Sequence, residues 1–179
     1  MTEVATTYGQ ALYDLARDEG LSQQLLPELS VLAQILQQEP GFAQLLSAPN
    51  IPMEERISVL DTSFRGKLHP YVLNFLKLLT EQGYMKHFDR CCRHFRQQYN
   101  KDNGIVTVTA YTAVPLNEEL RDKLTNKLST VTGKTIELEC RIDPETLGGV
   151  RLDFDGKQVD GTVRRRLEDI RGLLKNTVL

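Results

Sequence analysis

Apolar positions in the first hundred or so residues recur at helical spacing, in short runs cut by breakers. Tyr8, Leu12, Leu15 and Ala16 share one helical face, and Gly20 ends that run. Leu25, Leu29, Leu32 and Leu36 follow at steps of 4, 3 and 4, with Ser22 as the expected cap and Pro27 expected within the first turn or so, where proline is tolerated. Pro40-Gly41 breaks this element, and a short helix through Phe42 and Leu46 ends at Ala48-Pro49-Asn50. Pro52 suits the first turn of a helix from about Met53 to Thr62. Val72, Phe75, Leu76 and Leu79 mark a stronger helix that runs to Gln82-Gly83, and Phe88, Cys92, Phe95 and Tyr99 mark a sixth.

The period changes at Asp102-Asn103-Gly104. Ile105, Thr107, Thr109 and Tyr111 alternate with Val106, Val108 and Ala110, a strand rich in β-branched residues. Leu116-Asn117-Glu118-Glu119 opens a helix with Leu120, Leu124, Leu128 and Val131 on one face, and Thr135 to Ile142 reads as a second strand. Val150, Leu152 and Phe154 then alternate with Arg151 and Asp153, and Asp155-Gly156 signals a tight hairpin. Asp160 or Thr162 is placed to cap a final Arg-rich helix. The expected fold is therefore α plus α+β: an N-terminal six-helix bundle over residues 1–103, then a small mixed α/β domain over 104–179.

Composition narrows the function classes. A length of 179 residues allows one domain or two small ones, and 40% apolar residues suffice for a core. A formal net charge of −2, with acids and bases nearly balanced in both parts, gives no electrostatic case for nucleic acid or an anionic membrane surface. No apolar run approaches the roughly 20 residues that span a bilayer. Met1-Thr2-Glu3-Val4 has neither a secretory n-region nor an Arg-rich transit pattern, so a bacterial cytosolic placement is expected. The three cysteines, two adjacent and one remote, suggest no disulfide framework.

Candidate chemistry is sparse. His87, Cys91 and His94 share one helical face, a set a transition metal could use, but no fourth ligand is evident and the core stripe runs beside them. No loop presents a sharply turned nucleophile. Gly148-Gly149 lacks the spacing of a phosphate loop and precedes a strand, so a tight entry into the hairpin is the better reading. Arg164, Arg165 and Arg166 spread over roughly 200° of helical arc and cannot form one narrow basic stripe. Val163, Leu167, Ile170 and Leu174 make a stripe on the last helix, and Leu173, Val178 and Leu179 add apolar surface that suggests an interaction site.

The order Gly148-Gly149, alternating strand, Asp155-Gly156 turn, Asp160-Gly161-Thr162-Val163 and Arg-rich helix resembles the C-terminal signature of the delta subunit of F-type ATP synthases. The mitochondrial branch of that family is the oligomycin-sensitivity-conferring protein. Thr162 stands where serine is commoner, which keeps the hydroxyl cap. Tyr8-Gly9-Gln10-Ala11-Leu12-Tyr13-Asp14-Leu15-Ala16 is similar to the family's opening pattern, Tyr-Ala-x-Ala-Leu-aromatic-x-x-Ala, with Gly9 in place of the usual alanine. A glycine there costs the helix about 1 kcal/mol unless it serves a close backbone approach. Asn74-Phe75-Leu76-Lys77-Leu78-Leu79 resembles the family's fifth-helix motif.

The resemblance implies a non-catalytic stator subunit without cofactor or metal, joining the catalytic head to the peripheral stalk at the cytoplasmic face of the bacterial inner membrane. It implies that the helical domain binds the N-terminal segment of a head alpha subunit through Tyr8, Ala11, Leu12, Leu15, Leu76 and Leu79. Some of these six must also be core. It implies that the C-terminal domain meets the stalk b subunits, with Arg166, Leu167, Ile170, Leu173 and Leu174 foremost. Two alternatives stay open on the residues alone: a helical adaptor in another assembly, and a small enzyme using the His87, Cys91 and His94 face.

Overall fold

The computed structural model describes residues 3–146, 148–154, 156–163 and 165. The chain divides into two compact units, Met1–Tyr99 and Asn100–Leu179. In the first, helices α1 (Glu3–Asp18), α2 (Ser22–Gln38), α3 (Pro40–Ser47), α4 (Met53–Phe64), α5 (Pro70–Glu81) and α6 (Phe88–Asp102) follow one another, with a 3-10 turn at Met85–His87. α6 runs three residues past the division at Tyr99.

These helices share one apolar core. Leu25, Leu29 and Leu32 of α2, Leu46 of α3, Leu60 of α4 and Phe88 and Phe95 of α6 are all buried in it. The stripe read from α2 is thus its packing face, and Leu36 lies half-buried at the edge of the same cluster. Rings lock neighbouring helices: Tyr13 meets Phe95 edge-on at 5.4 Å, and Phe42 meets Phe64 at 5.9 Å. Two local expectations change. Leu21, not Ser22, is the N-cap residue of α2, and no side chain caps that end. Pro27 is the sixth residue of α2, deeper than the first turn, so the helix forgoes one backbone bond there.

The second unit carries a four-stranded mixed sheet in the order β2-β1-β3-β4. β1 (Ile105–Thr112) and β2 (Thr135–Ile142) are parallel, joined by helix α7 (Glu118–Thr132); β3 (Val150–Phe154) pairs antiparallel with β1 and with β4 (Lys157–Asp160). Parallel pairing requires such a crossover, because a tight turn only reverses the chain. Alternate residues of β1, from Val106 to Thr112, are buried, and Val106, Val108 and Ile136 form a small core on which Leu128, Leu138, Leu152 and Phe154 pack. The Asn117 carboxamide caps α7 by accepting from the Leu120 amide at 2.9 Å.

α7 is less buried than its pattern suggests. It has no fully buried residue, and Val131 is 77% exposed, so of the expected face mainly Leu128 reaches the sheet core. The Gly-Gly entry is structural, as read. A Cβ on Gly149 would lie 2.6 Å from the Gly161 carbonyl oxygen, and the residue sits at φ +84°, so only glycine lets the two segments touch. The Gly161 amide then donates to the Val150 carbonyl at 3.0 Å, and the Val163 amide to that of Gly148 at 3.0 Å. Of the two candidate caps, Thr162 makes the cap bond, its hydroxyl accepting from the Arg165 amide at 3.2 Å, while the Asp160 carboxylate accepts from the Thr162 amide at 2.9 Å and closes the turn before it. The Thr162 amide on its carboxylate holds Asp160 below the ordinary carboxylate value of 3.8.

Candidate functional site

The two helices expected to bind a partner do form a groove. Tyr8, Ala11, Leu12 and Leu15 of α1 make one wall. Tyr71, Asn74, Phe75 and Leu78 of α5 make the other, and the walls enclose about 360 Å³. Each wall follows the spacing i, i+3, i+4, i+7, the side of an α-helix that stays in line over two turns. Leu12 and Phe75 are buried and form the floor. Leu15 and Leu78 are 42% and 41% exposed and form an apolar mouth. Tyr8 stands edge-on to Tyr84 at 5.7 Å and Tyr71 to His69 at 5.1 Å, so packing from behind restrains both rings.

The start of α5 is built for this. Pro70 takes the first helical position, and the His69 ring Nδ1 accepts from the Tyr71 amide at 3.3 Å. The His69 amide in turn donates to the Glu28 carboxylate of α2 at 2.8 Å. From α4, Asp61 meets Lys77 of α5 at 2.8 Å and Arg65 at 3.3 Å. The Lys77 hydrogen bond, aided by the charges of Arg65 and Lys77, holds the Asp61 carboxyl below its ordinary value.

Of the six residues expected to line the groove, four do. Leu76 and Leu79 do not: they are 1% and 0% exposed and belong to the core. The α5 wall lies on the neighbouring face, which holds Tyr71, Asn74 and Leu78 that the apolar stripe did not select. A usable signal was present. Tyr71, Asn74, Phe75 and Leu78 repeat the spacing of Tyr8, Ala11, Leu12 and Leu15. The residues expected at the stalk end, Arg166, Leu167, Ile170, Leu173 and Leu174, lie outside the described residues.

The His87, Cys91 and His94 face takes another form. His94 is buried, with its Nε2 at 3.1 Å from the Gln10 side-chain oxygen and 3.3 Å from the Gln98 amide nitrogen. A nitrogen engaged by two carboxamides is a poor metal ligand. Among the described residues no group of three His, Cys, Asp or Glu is arranged to hold a metal ion. Burial pushes the Cys91 thiol up to about 11 and Cys92 higher still, the opposite of an activated thiolate. Gly9 of α1 packs on the same stretch of α6: a Cβ there would lie 2.8 Å from the Cys91 carbonyl oxygen. Among the described residues no helix is long and apolar enough to cross a membrane.

Comparison with known proteins gives a consistent answer. The family model described as the ATP synthase delta (OSCP) subunit matches residues 4–174. The chain is 35% identical over 176 residues to the ATP synthase subunit delta of Lactobacillus delbrueckii subsp. bulgaricus, covering 96% of each chain. It is 32% identical over 164 residues to that of Symbiobacterium thermophilum, covering 92% of this chain and 88% of the relative. Its fold is similar to a chain in the cryo-EM structure of the Toxoplasma gondii mitochondrial ATP synthase hexamer, with a TM-score of 0.75 at 17% identity, covering 97% of this chain and 98% of that one.

Proposed function

The chain belongs to the ATP synthase delta (OSCP) family, and from that premise we propose how its two parts divide the work of a stator. As a delta subunit it is a non-catalytic component of a rotary ATP synthase, peripheral to the membrane sector, and it links the catalytic head to the peripheral stalk. Torque on the central shaft would spin an untethered head. The subunit therefore needs two attachments in series, each strong enough to resist that torque. Nanomolar affinity corresponds to about 12 kcal/mol, within reach of a few buried apolar anchors.

The helical unit, a six-helix bundle in this reading, takes the N-terminal segment of one head alpha subunit into the α1–α5 groove. The observation that supports this is the pair of matched walls, each one side of a helix with an apolar floor and an exposed apolar mouth. That shape suits an amphipathic helix laid lengthwise, with anchors at i, i+3, i+4 and i+7. Residues 104–179 meet the stalk b subunits, with Arg166, Leu167, Ile170, Leu173 and Leu174 as the foremost contacts. In a bacterium the assembly sits at the cytoplasmic face of the inner membrane.

The test is titration of the full chain with a synthetic peptide of the alpha-subunit N-terminal segment. Leu15→Asp and Leu78→Asp put a charge at the exposed mouth, where the free protein tolerates it and the filled groove does not. Each should weaken binding by about 2 kcal/mol or more, with little change in thermal unfolding. Leu76→Asp should instead unfold the helical unit, because it buries a lone charge in the core. Unchanged peptide affinity in both mouth variants would refute the groove as the head-binding site.

A further inference from the structure

Asn74 is the residue of the groove that apolar docking does not explain. Every other lining side chain presents an apolar body, from Ala11 to the rings of Tyr8, Tyr71 and Phe75. Asn74 stands exposed among them, with Tyr71 one turn before it and Leu78 one turn after. No hydrogen bond joins its carboxamide to another described residue. Leucine has nearly the same size, is a better helix former and would add apolar surface. A groove selected only for apolar contact would gain from leucine at this position on every count.

A carboxamide offers two donors and an acceptor, and leaving them unpaired under a partner is costly. On the head-binding reading above, we infer that Asn74 selects and registers the docked helix. It pairs with one polar side chain, a hydroxyl, amide or carboxylate, on the otherwise apolar face of the alpha-subunit N-terminal segment. The partner then carries apolar anchors three or four residues to either side of that polar residue, facing Tyr71 and Leu78. Sliding the helix by one turn, about 5.4 Å, sets an apolar side chain on Asn74 and strands its amide. The same mismatch rejects amphipathic helices that are merely apolar along the docking face.

The experiment is a double-mutant cycle on the full chain, using the synthetic alpha-subunit peptide as probe. The protein variants are Asn74→Leu and Asn74→Ala. In the peptide, each polar residue bordering the apolar face is replaced by leucine in turn. Asn74→Leu should keep or raise the thermal midpoint yet weaken the parent peptide about ten-fold, and Asn74→Ala should weaken it as well. One peptide replacement should weaken binding to the parent chain but not to Asn74→Leu, and that coupling identifies the paired residue. If Asn74→Leu binds as well as the parent or tighter, and no peptide position is coupled to it, the inference is wrong while the groove assignment stands. If the parent chain does not bind the peptide, the head-binding reading fails and this inference with it.

Discussion

At the scale of single residues, Gly9 shows two effects opposed at one atom. A glycine inside α1 costs the helix about 1 kcal/mol relative to alanine. A Cβ at this position, however, would lie 2.8 Å from the Cys91 carbonyl oxygen and 3.0 Å from the His94 Cβ. The first of these is backbone of α6 and cannot rotate away. Seating an alanine means moving α1 off α6, and with it the Gln10–His94 hydrogen bond; overpacking of this kind costs about 1–3 kcal/mol. The steric effect wins, and Gly9→Ala should lower stability by about 1 kcal/mol despite its better helix propensity. A shift of the urea midpoint to lower concentration checks this, and a shift to higher concentration would mean that the contact is loose. The sequence showed a glycine where the family pattern it resembles has alanine. It could not say whether the helix was weak or the approach close, since that depends on a residue more than eighty positions away.

At the scale of elements, α5 shows why half of the groove was legible and half was not. Val72, Phe75, Leu76 and Leu79 are the packing stripe, and the structure buries all four. The groove wall of Tyr71, Asn74, Phe75 and Leu78 shares Phe75 with that stripe and is turned by about 100°, one residue step. Both faces are largely apolar, so hydropathy detects one broad apolar arc and cannot divide core from docking surface. On α1 polar neighbours narrow the arc, and the stripe and the wall largely coincide. The crossover α7 misled in the other direction: its period was clear, but among the described residues only Leu128 of its apolar side packs on the sheet cluster. The α4–α5 pair carries a pH prediction. Lys77 and Arg65 hold Asp61 below its ordinary value of 3.8, so the native state favours the ionised form more than the unfolded chain does. Its contribution is fully present above pH 3.8 and is lost as pH falls through the lower native value. Asp61→Asn should therefore melt below the parent at neutral pH, and the gap should close on acidification into that range. A gap that persists unchanged at low pH would show that the ion pair is not its cause.

At the scale of the whole molecule, the two units carry unequal cores. Helices α1–α6 enclose a continuous cluster that draws on every one of them, whereas among the described residues the apolar cluster of the sheet unit is Val106, Val108 and Ile136 with a few half-buried neighbours, and Ala110, Thr112, Thr146 and Thr162 are also buried. A unit of about a hundred residues with such a core folds alone as a rule. The fragment 1–103, cut after α6 is complete, should therefore melt cooperatively with strong helical dichroism. It should also bind the alpha-subunit peptide within about two-fold of the full chain, since both groove walls lie inside it. A stator works only as a chain of contacts in series, so on the proposed division of labour this fragment would occupy the head without tethering it. Added in excess during reconstitution, it should compete with the full chain and depress proton-driven ATP synthesis in vesicles. ATP hydrolysis by the isolated head should not change, because the fragment neither adds nor removes a catalytic group. Raising the concentration of full chain should restore synthesis, as expected of competition for one site. If vesicles containing only the fragment synthesise ATP at the rate given by the full chain, the tether does not pass through residues 104–179, and the division of labour proposed for the two units is wrong.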